Sequence, residues 1–401
     1  MQGSEIVMPG WILPAFSFLV GACVGSFLNV VIYRIPRDKS LVMPPSSCPS
    51  CGKHICFYDN IPLVSWLFLL GKCRYCRVRI SPRYFVIELL TGLVFLGVFW
   101  LYFQSGLRVG IPPFFAGGWF LYLVTLILLS ALIAASAIDL EMWIIPLSIC
   151  WFATAAGFVA SALAPLVIHP ATIRHYFLTP TTEDLIIVEP SSIASLTAGA
   201  IIGLGLSLIL LAAGVIKRSY DISQLQTAPQ NTGKSGTQSG GADEFNDRAE
   251  MLKEIVFLLP IVICAVAADR LINQFPALHQ RWVDFSQMPV IAGLMGSIFG
   301  YLVGCAIVWA TRILGTLAFG REAMGLGDVH LMGAAGAVVG PLFVIIAFFI
   351  APFFGLGWAA LQMFFKKTRQ IPYGPFLALG ILAVMILHDR IMTYLNFVFY
   401  W

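Results

Sequence analysis

The sequence predicts an all-α fold, a polytopic helical membrane protein of about 8–10 spans with a small cytoplasmic zinc-binding loop domain. Its 401 residues are 59% hydrophobic and only 11% charged, a more apolar composition than that of soluble domains. Several apolar runs exceed the roughly 18 residues that mark a membrane-spanning helix. Four cysteines stand as two tight pairs within a basic loop, which indicates a metal site rather than disulfides.

The apolar runs give the order of the spans along the chain. The predicted spans are 11–33, 84–103, 117–138, 144–167, 191–216, 254–270, 289–316, a short one at 329–340, 341–364 and 374–397. Residues 34–83, between the first two spans, form a polar loop with its own organisation. Residues 219–250 are rich in Gly, Ser, Gln and Thr and nearly free of apolar side chains, which predicts a disordered cytoplasmic linker.

Lysines and arginines predict the orientation of these spans. With the N-terminus outside and alternating spans, all but five of the 24 basic residues fall on the cytoplasmic side, as the positive-inside rule requires. The five exceptions are Arg108, Arg174, Arg270, Arg281 and Arg390. The net charge of +4 therefore arises from basic loops and does not indicate a nucleic-acid partner.

The paired cysteines predict a structural zinc site. Cys48 and Cys51 form one CxxC turn, and Cys73 and Cys76 form another. Two such turns supply four thiolates, which close a tetrahedral zinc shell and leave no position for a reacting water. The alternative is that these are free thiols in a basic loop. Cys56, a fifth cysteine in this loop, is interpreted as a bystander.

Two carboxylates at the ends of apolar runs are the candidate catalytic residues. Asp139 follows the run 120–138, and Asp328 lies between apolar stretches in a glycine-rich segment. Ionisable groups so close to hydrocarbon are costly, and they often mark functional sites. In the predicted topology both lie at cytoplasmic ends, where two carboxyls could share a proton as in aspartic proteases. The alternatives are a snorkelling or capping role for Asp139 and a helix N-cap for Asp328.

Five segments carry a resemblance to a known family. They are GSFLNVVIYRIP, the cysteine block CPSCGKHICFYDNIPLVSWLFLLGKCRYCRVRISPRYFVIELLTG, AIDL around Asp139, GLGD ending at Asp328, and IPYGPFLALG. Together they resemble the type IV prepilin peptidases, also called prepilin leader peptidase/N-methyltransferases. The likeness covers about residues 14–150 and 315–385. The two motifs around Asp139 and Asp328 correspond to the two aspartate motifs of that family.

The resemblance implies a specific activity. It implies an aspartic endopeptidase that removes the basic leader of type IV prepilins or type II secretion pseudopilins after a glycine. It also implies methylation of the new N-terminus by S-adenosylmethionine, with Gly71 and Lys72 as candidate residues of the methyl-transfer region. Asp139 and Asp328 would be the catalytic pair, and the four cysteines would hold Zn²⁺. The site and the zinc domain would face the cytoplasm from the bacterial inner membrane, in contact with membrane lipid.

The resemblance also divides the chain into domains. These are the first span 11–33, the zinc-binding domain 34–83, a membrane core 84–167 with the first aspartate, an insert 168–288 with two extra spans and the linker, and a membrane core 289–397 with the second aspartate. An even number of added crossings keeps both aspartates on one side.

Two other functions stay open at the level of sequence. A proton-coupled membrane carrier would also contain intramembrane carboxylates, and a scaffold could use a zinc knuckle for protein contacts. Smaller features have local interpretations. Arg321 and Glu322 are interpreted as a charge pair at the membrane surface, and His330 either assists the site or makes ordinary helix contacts.

Overall fold

The computed structural model describes residues 10–108, 111–168, 190–216, 247–365 and 372–399. Within these residues the fold is helical and contains no strands, which confirms the predicted fold class. The helices are α1 (Ile12–Arg34), α2 (Val64–Phe68), α3 (Pro82–Phe103), α4 (Gly118–Met142), α5 (Leu147–Val167), α6 (Pro190–Ala212), α7 (Asp247–Gln274), α8 (Pro276–Ser286), α9 (Pro289–Phe319), α10 (Leu326–Val339), α11 (Pro341–Phe365) and α12 (Gly374–Phe399).

Among the described residues, nine helices are long and apolar enough to cross a membrane, and α10 is a shorter apolar helix. Each predicted span corresponds to one of these ten. The largest difference is at α7, which begins at Asp247 rather than at the predicted residue 254. The last four residues of the predicted linker therefore belong to a helix, and its residues 219–246 lie outside the described part.

Neighbouring helices pack as antiparallel pairs through glycines. A side chain at Gly25 of α1 would meet Glu88 of α3, and one at Gly21 would meet Phe95, so the two helices run in opposite directions. The pairs α6–α7, α9–α10 and α11–α12 show the same reversed order of contacts. Small residues let helix backbones approach closely, which is the usual basis of helix association in membranes.

Polar contacts distinguish the two ends of the bundle. At one end, Arg83 pairs with Glu141, which joins the start of α3 to the end of α4. At the other end, Ser195 donates a hydrogen bond of 2.6 Å to Asp269, which joins the start of α6 to the end of α7. These pairings agree with the alternating spans of the predicted topology. We call the end that holds Arg83 and Glu141 the site end, and the other the distal end.

Helix α4 lies at the centre of the bundle, and α7 lies at its edge. Of the most apolar window of each helix, 72% is buried for α4 and 0% for α7. The α4 side chains belong to one continuous core with residues of α3, α5, α10 and α12. Asp139 is thus carried by the most enclosed of the nine long helices in the described residues.

Candidate active site and metal centre

The four cysteines lie in two similar knuckles. In the first, the Cys48 amide donates to the Lys53 carbonyl at 2.9 Å, and in the second the Cys73 amide donates to the Val78 carbonyl at 2.9 Å. Each knuckle turns back through a residue of positive φ, Gly52 at 68° and Arg77 at 60°. Every residue of the second knuckle thus lies 25 positions after its counterpart in the first. The loop between Cys48 and Val78 is built from two copies of one turn.

The cysteine sulfurs fit a tetrahedral metal ion. One ligand atom from each of Cys48, Cys51, Cys73 and Cys76 can be chosen so that all lie within 4.8 Å of one another. The sulfurs of Cys48 and Cys76 are 3.7 Å apart. A zinc ion with Zn–S bonds of about 2.3 Å has S–S edges of about 3.8 Å, so the cluster is close to the required size.

Backbone amides favour the thiolate form of Cys73, one of the four cysteines. The N–H groups of Cys76 and Tyr75 point at the Cys73 sulfur and lower the pKa of its thiol to about 6. A lowered pKa favours the thiolate, the form that binds metal. The loop is also tied across its middle, because Arg74 Nε donates to the two Asp59 carboxylate oxygens at 3.0 and 2.8 Å.

Gly71 and Lys72 lie immediately before the second knuckle. The face of Gly71 where a side chain would project is covered by the Trp66 ring, 2.9 Å from an added Cβ. Lys72 is exposed, and its backbone bridges to Arg79. A covered glycine and one exposed ammonium do not by themselves form a site for S-adenosylmethionine.

Asp139 lies in the last turn of α4, buried at the site end, where its side chain is bound by another helix. The amide of Gly374 donates a hydrogen bond of 2.9 Å to Asp139 Oδ2. Gly374 is the first residue of α12, so the carboxylate faces the positive end of that helix dipole. Helix N-termini stabilise bound anions, which offsets part of the cost of burying this group.

Asp328 lies at the start of α10, also buried. The N-cap of α10 is Gly325, so Asp328 is the third residue of the helix and the N-cap interpretation is wrong. A carboxylate in the first turn is stabilised by the helix dipole in the same way as a bound anion. A side chain at Gly325 would lie 3.6 Å from Asp328 Oδ2, so the glycine leaves space beside the carboxylate.

Ile145 contacts a neighbour of each carboxylate, Gly327 beside Asp328 and Gly374, whose amide binds Asp139. It follows the end of α4, where Trp143 adopts a φ of 59° and turns the chain. An added Cβ at Gly327 would lie 2.7 Å from Ile145 Cβ, and one at Gly374 would lie 3.0 Å from Ile145 Cδ1. Asp139 and Asp328 therefore flank one contact point at the site end, close enough for their charges to interact.

His330 faces away from this contact point. Its Nδ1 lies 2.9 Å from the Tyr301 hydroxyl of α9, and its ring lies 5.6 Å from that of Trp151 of α5. The interpretation as an ordinary helix contact therefore agrees with the structure.

Three features of the site were not identified from the sequence. Gly374 lies in the segment IPYGPFLALG, which resembles the family, but the sequence did not indicate that its amide binds Asp139. Ile145 is an ordinary apolar residue in the sequence, and nothing there marked it as part of the site. Glu322 pairs with Arg312 of α9, ten positions back, where the sequence analysis expected Arg321.

Two family models match the chain. The bacterial peptidase A24 N-terminal domain matches residues 19–102, which include the four cysteines. The type IV leader peptidase family matches residues 255–360, which include Asp328 but not Asp139. The second range also contains Asp269, Asp284 and Glu322. Asp269 lies at the distal end with Ser195, Asp284 lies in α8 between α7 and α9, and Glu322 pairs with Arg312. Among these carboxylates, the geometry thus pairs Asp328 with Asp139.

The curated relatives with the higher sequence identity match only about a third of this chain. A prepilin leader peptidase/N-methyltransferase of Myxococcus xanthus is 46% identical over 145 residues, 35% of this chain and 39% of the relative. One of Klebsiella pneumoniae is 41% identical over 138 residues, 33% of this chain and 54% of the relative. One of Aeromonas hydrophila is 24% identical over 409 residues, 95% of this chain and 93% of the relative.

The closely matching alignments thus cover only about half of the relatives' length or less, whereas the distant one covers nearly all of it. No solved structure matches this chain. The paired knuckles, the two matched family ranges and the nearly full-length relative agree with one another, and the chain belongs to the type IV prepilin peptidase (prepilin leader peptidase/N-methyltransferase) family.

Proposed function

We propose that this protein is an intramembrane aspartic endopeptidase that removes the leader of type IV prepilins or pseudopilins after a glycine. The observation that carries the proposal is that Asp139 and Asp328 lie on either side of Ile145 at one end of the bundle. Burying two carboxylates on different helices costs free energy, and ionisable residues placed at such a cost often mark functional sites. The printed names of the relatives, prepilin leader peptidases, supply the substrate class.

The chemistry follows from sharing one proton. Two nearby carboxyls cannot both ionise at low cost, so one stays protonated. The ionised carboxylate takes a proton from water, which attacks the scissile carbonyl, while the protonated carboxyl donates a hydrogen bond to the carbonyl oxygen. The tetrahedral intermediate then collapses, the C–N bond breaks, and the proton taken from water passes to the leaving amine. The Gly374 amide favours a charged Asp139. Titration belongs to the pair, so the roles of base and acid are not assigned to individual residues.

We further propose that the protein methylates the N-terminus it creates, with S-adenosylmethionine as the methyl donor and with the site and zinc domain on the cytoplasmic side. The relatives' names include the methyltransferase activity. The cysteine knuckles lie at the same end as the carboxylates, because Arg83, just after the knuckles, pairs with Glu141. Zinc at these knuckles would hold the loop together and would take no part in the cleavage.

The carrier alternative has less support. Coupled carriers place their ionisable groups near the bilayer midplane, often in broken helices. Both carboxylates here lie at helix ends on one side of the bundle.

One experiment tests the proposed cleavage. The protein in proteoliposomes is incubated with pilin-like precursors encoded in the same genome, and products are read by mass with and without S-adenosylmethionine. We expect cleavage after a glycine by the wild type and none by Asp139→Asn or Asp328→Asn. A mass increase of one methyl group only with the methyl donor would support the second activity. Cleavage by either variant at the wild-type rate contradicts the catalytic assignment.

A further inference from the structure

A buried arginine lies just outside the proposed site. Arg312 of α9 is only 1% exposed. Its Nη2 lies 3.2 Å from a Glu254 carboxylate oxygen, and its Nε lies 3.3 Å from both of them. Its Nη1 donates to Glu322 and to the backbone carbonyl of Met324. A buried cation is tolerated only where its donors are bound, and this one is surrounded by acceptors.

The acceptors come from two separate parts of the chain. Glu254 belongs to α7, in the predicted insert, and is itself 3% exposed. Trp309 of α9 donates a second hydrogen bond to Glu254, at 2.6 Å. Glu322 and Met324 belong to the segment between α9 and α10. Arg312 therefore joins the first turns of α7 to the segment that leads into α10.

That segment runs directly into the first residue of α10. It ends at Gly325, the N-cap of α10, three positions before Asp328. A second contact holds it to α9, because the Ala323 amide donates to Thr316 Oγ1 at 3.1 Å. A carboxylate in the first turn of a helix moves with the start of that helix. Arg312 also lies close enough to Asp328 for their charges to interact.

We propose that Arg312 is a positioning residue for Asp328 and that Glu254 of α7 holds Arg312 in place. Helix α7, most of which lies in the range 255–360 matched by the leader peptidase family model, then contributes a side chain on which the peptidase site depends. The proposal rests on the proposed function in one respect only, which is that Asp328 is catalytic. The position of the 320–328 segment is a structural property and can be measured without a substrate.

The experiment compares variants at the two ends of α7. Glu254→Gln removes the charge that binds Arg312, whereas Asp269→Asn removes the α7 carboxylate that contacts α6 at the distal end. Both substitutions remove one carboxylate charge from the same helix, so Asp269→Asn is the matched control. We expect Glu254→Gln to lower kcat at least tenfold with KM changed less than about twofold, and Asp269→Asn to leave both within about twofold.

Two further readouts separate positioning from general weakening of the fold. Removing a positive charge near a carboxyl favours its protonated form, so Arg312→Gln should move the pH profile of kcat to higher pH. Arg312→Lys keeps the charge but loses the planar fork that reaches several acceptors at once, so its profile should stay near that of the wild type while kcat falls. Hydrogen exchange of the full-length variants should be faster across 320–328 in Glu254→Gln and unchanged there in Asp269→Asn.

The outcomes are distinct. A kcat for Glu254→Gln within twofold of wild type, or unchanged exchange across 320–328, overturns the proposal. An equal fall in kcat for Glu254→Gln and Asp269→Asn also overturns it, since only helix packing would then matter. If the wild type cleaves no precursor, the proposed function fails, and the exchange measurement alone still decides whether Glu254 and Arg312 hold the segment before Asp328.

Discussion

The amide of Gly374 binds the carboxylate of Asp139 across 235 positions of sequence, with a nitrogen–oxygen distance of 2.9 Å. Gly374 begins α12 and Asp139 lies in the last turn of α4. This contact connects the last membrane helix to the central one at the site end. It gives a buried carboxylate both a donor and the positive end of a helix dipole.

Gly374→Ala tests this contact. A Cβ at position 374 would lie 2.7 Å from Asp139 Oδ2, so the carboxylate or the start of α12 must shift. Hydrogen bonds to charged groups contribute about 1.5–3 kcal/mol, so we expect kcat to fall about 10- to 100-fold. Gly357→Ala in α11 is the matched control, because nothing lies within 4 Å of its added Cβ. Equal activity of the two variants would contradict a role for the Gly374 amide.

Zinc content tests the paired knuckles. We expect about one zinc per chain in protein that is kept reduced, because four thiolates close a structural shell. Cys73→Ser should lower the zinc content and make the 46–80 region a target for added protease. Cys56→Ser should retain zinc, since Cys56 is outside the four-sulfur cluster. Metal analysis that finds no zinc in the wild type, or equal losses in both variants, would exclude the proposed site.

Close helix packing predicts a stability difference between two glycines. A side chain at Gly300 of α9 would collide with the backbone carbonyl of Gly336 of α10, whereas nothing lies within 4 Å of an added Cβ at Gly97. Backbone displacement of this kind costs about 1–3 kcal/mol, so Gly300→Ala should lower the thermal midpoint in detergent. Gly97→Ala should leave it unchanged or slightly higher. A higher midpoint for Gly300→Ala would show that these helices are not in backbone contact.

The predicted linker 219–250 overlaps the start of α7 at Asp247, so its two parts are tested separately. Residues 219–246 are predicted from composition to be disordered, so deleting them should leave cleavage within about threefold of wild type. Extending the deletion through Glu254 removes the first turns of α7 and the Arg312 contact, and it should abolish cleavage. Proteoliposomes containing each deletion can be assayed side by side. Loss of activity in the shorter deletion would show that the linker itself takes part in substrate handling.

Sequence reasoning located the membrane helices well, because span length and hydropathy are local properties. The predicted span 289–316, for instance, became Pro289–Phe319. It placed the start of α7 too late because residues 247–253 include Arg248, Glu250 and Lys253, and charged residues interrupt an apolar run. The partner of Glu254, the first residue of the predicted span, had no local signal either. Glu254 meets Arg312 58 positions away.

In the candidate site, too, the residues with a local sequence signal were predicted and the long-range contacts were not. The two aspartates stood out because a carboxylate beside apolar sequence is rare, and the cysteines stood out because of their spacing. The contacts that join Asp139 to Gly374, and Gly327 to Ile145, depend on long-range packing that has no local signature. The interpretation of Glu322 failed for this reason, because its neighbour Arg321 suggested a local pair and the structure supplied Arg312.

A double-mutant cycle on Asp139 and Asp328 tests the central claim most directly. The two carboxyls are proposed to act as one unit, and residues that act as a unit show non-additive losses. We predict that Asp139→Asn and Asp328→Asn each lower the cleavage rate at least 10³-fold and that the double variant is no slower than either. Asp269→Asn, measured alongside, should cleave at the wild-type rate. Substantial cleavage by either single variant, or a double variant much slower than both, would contradict the account.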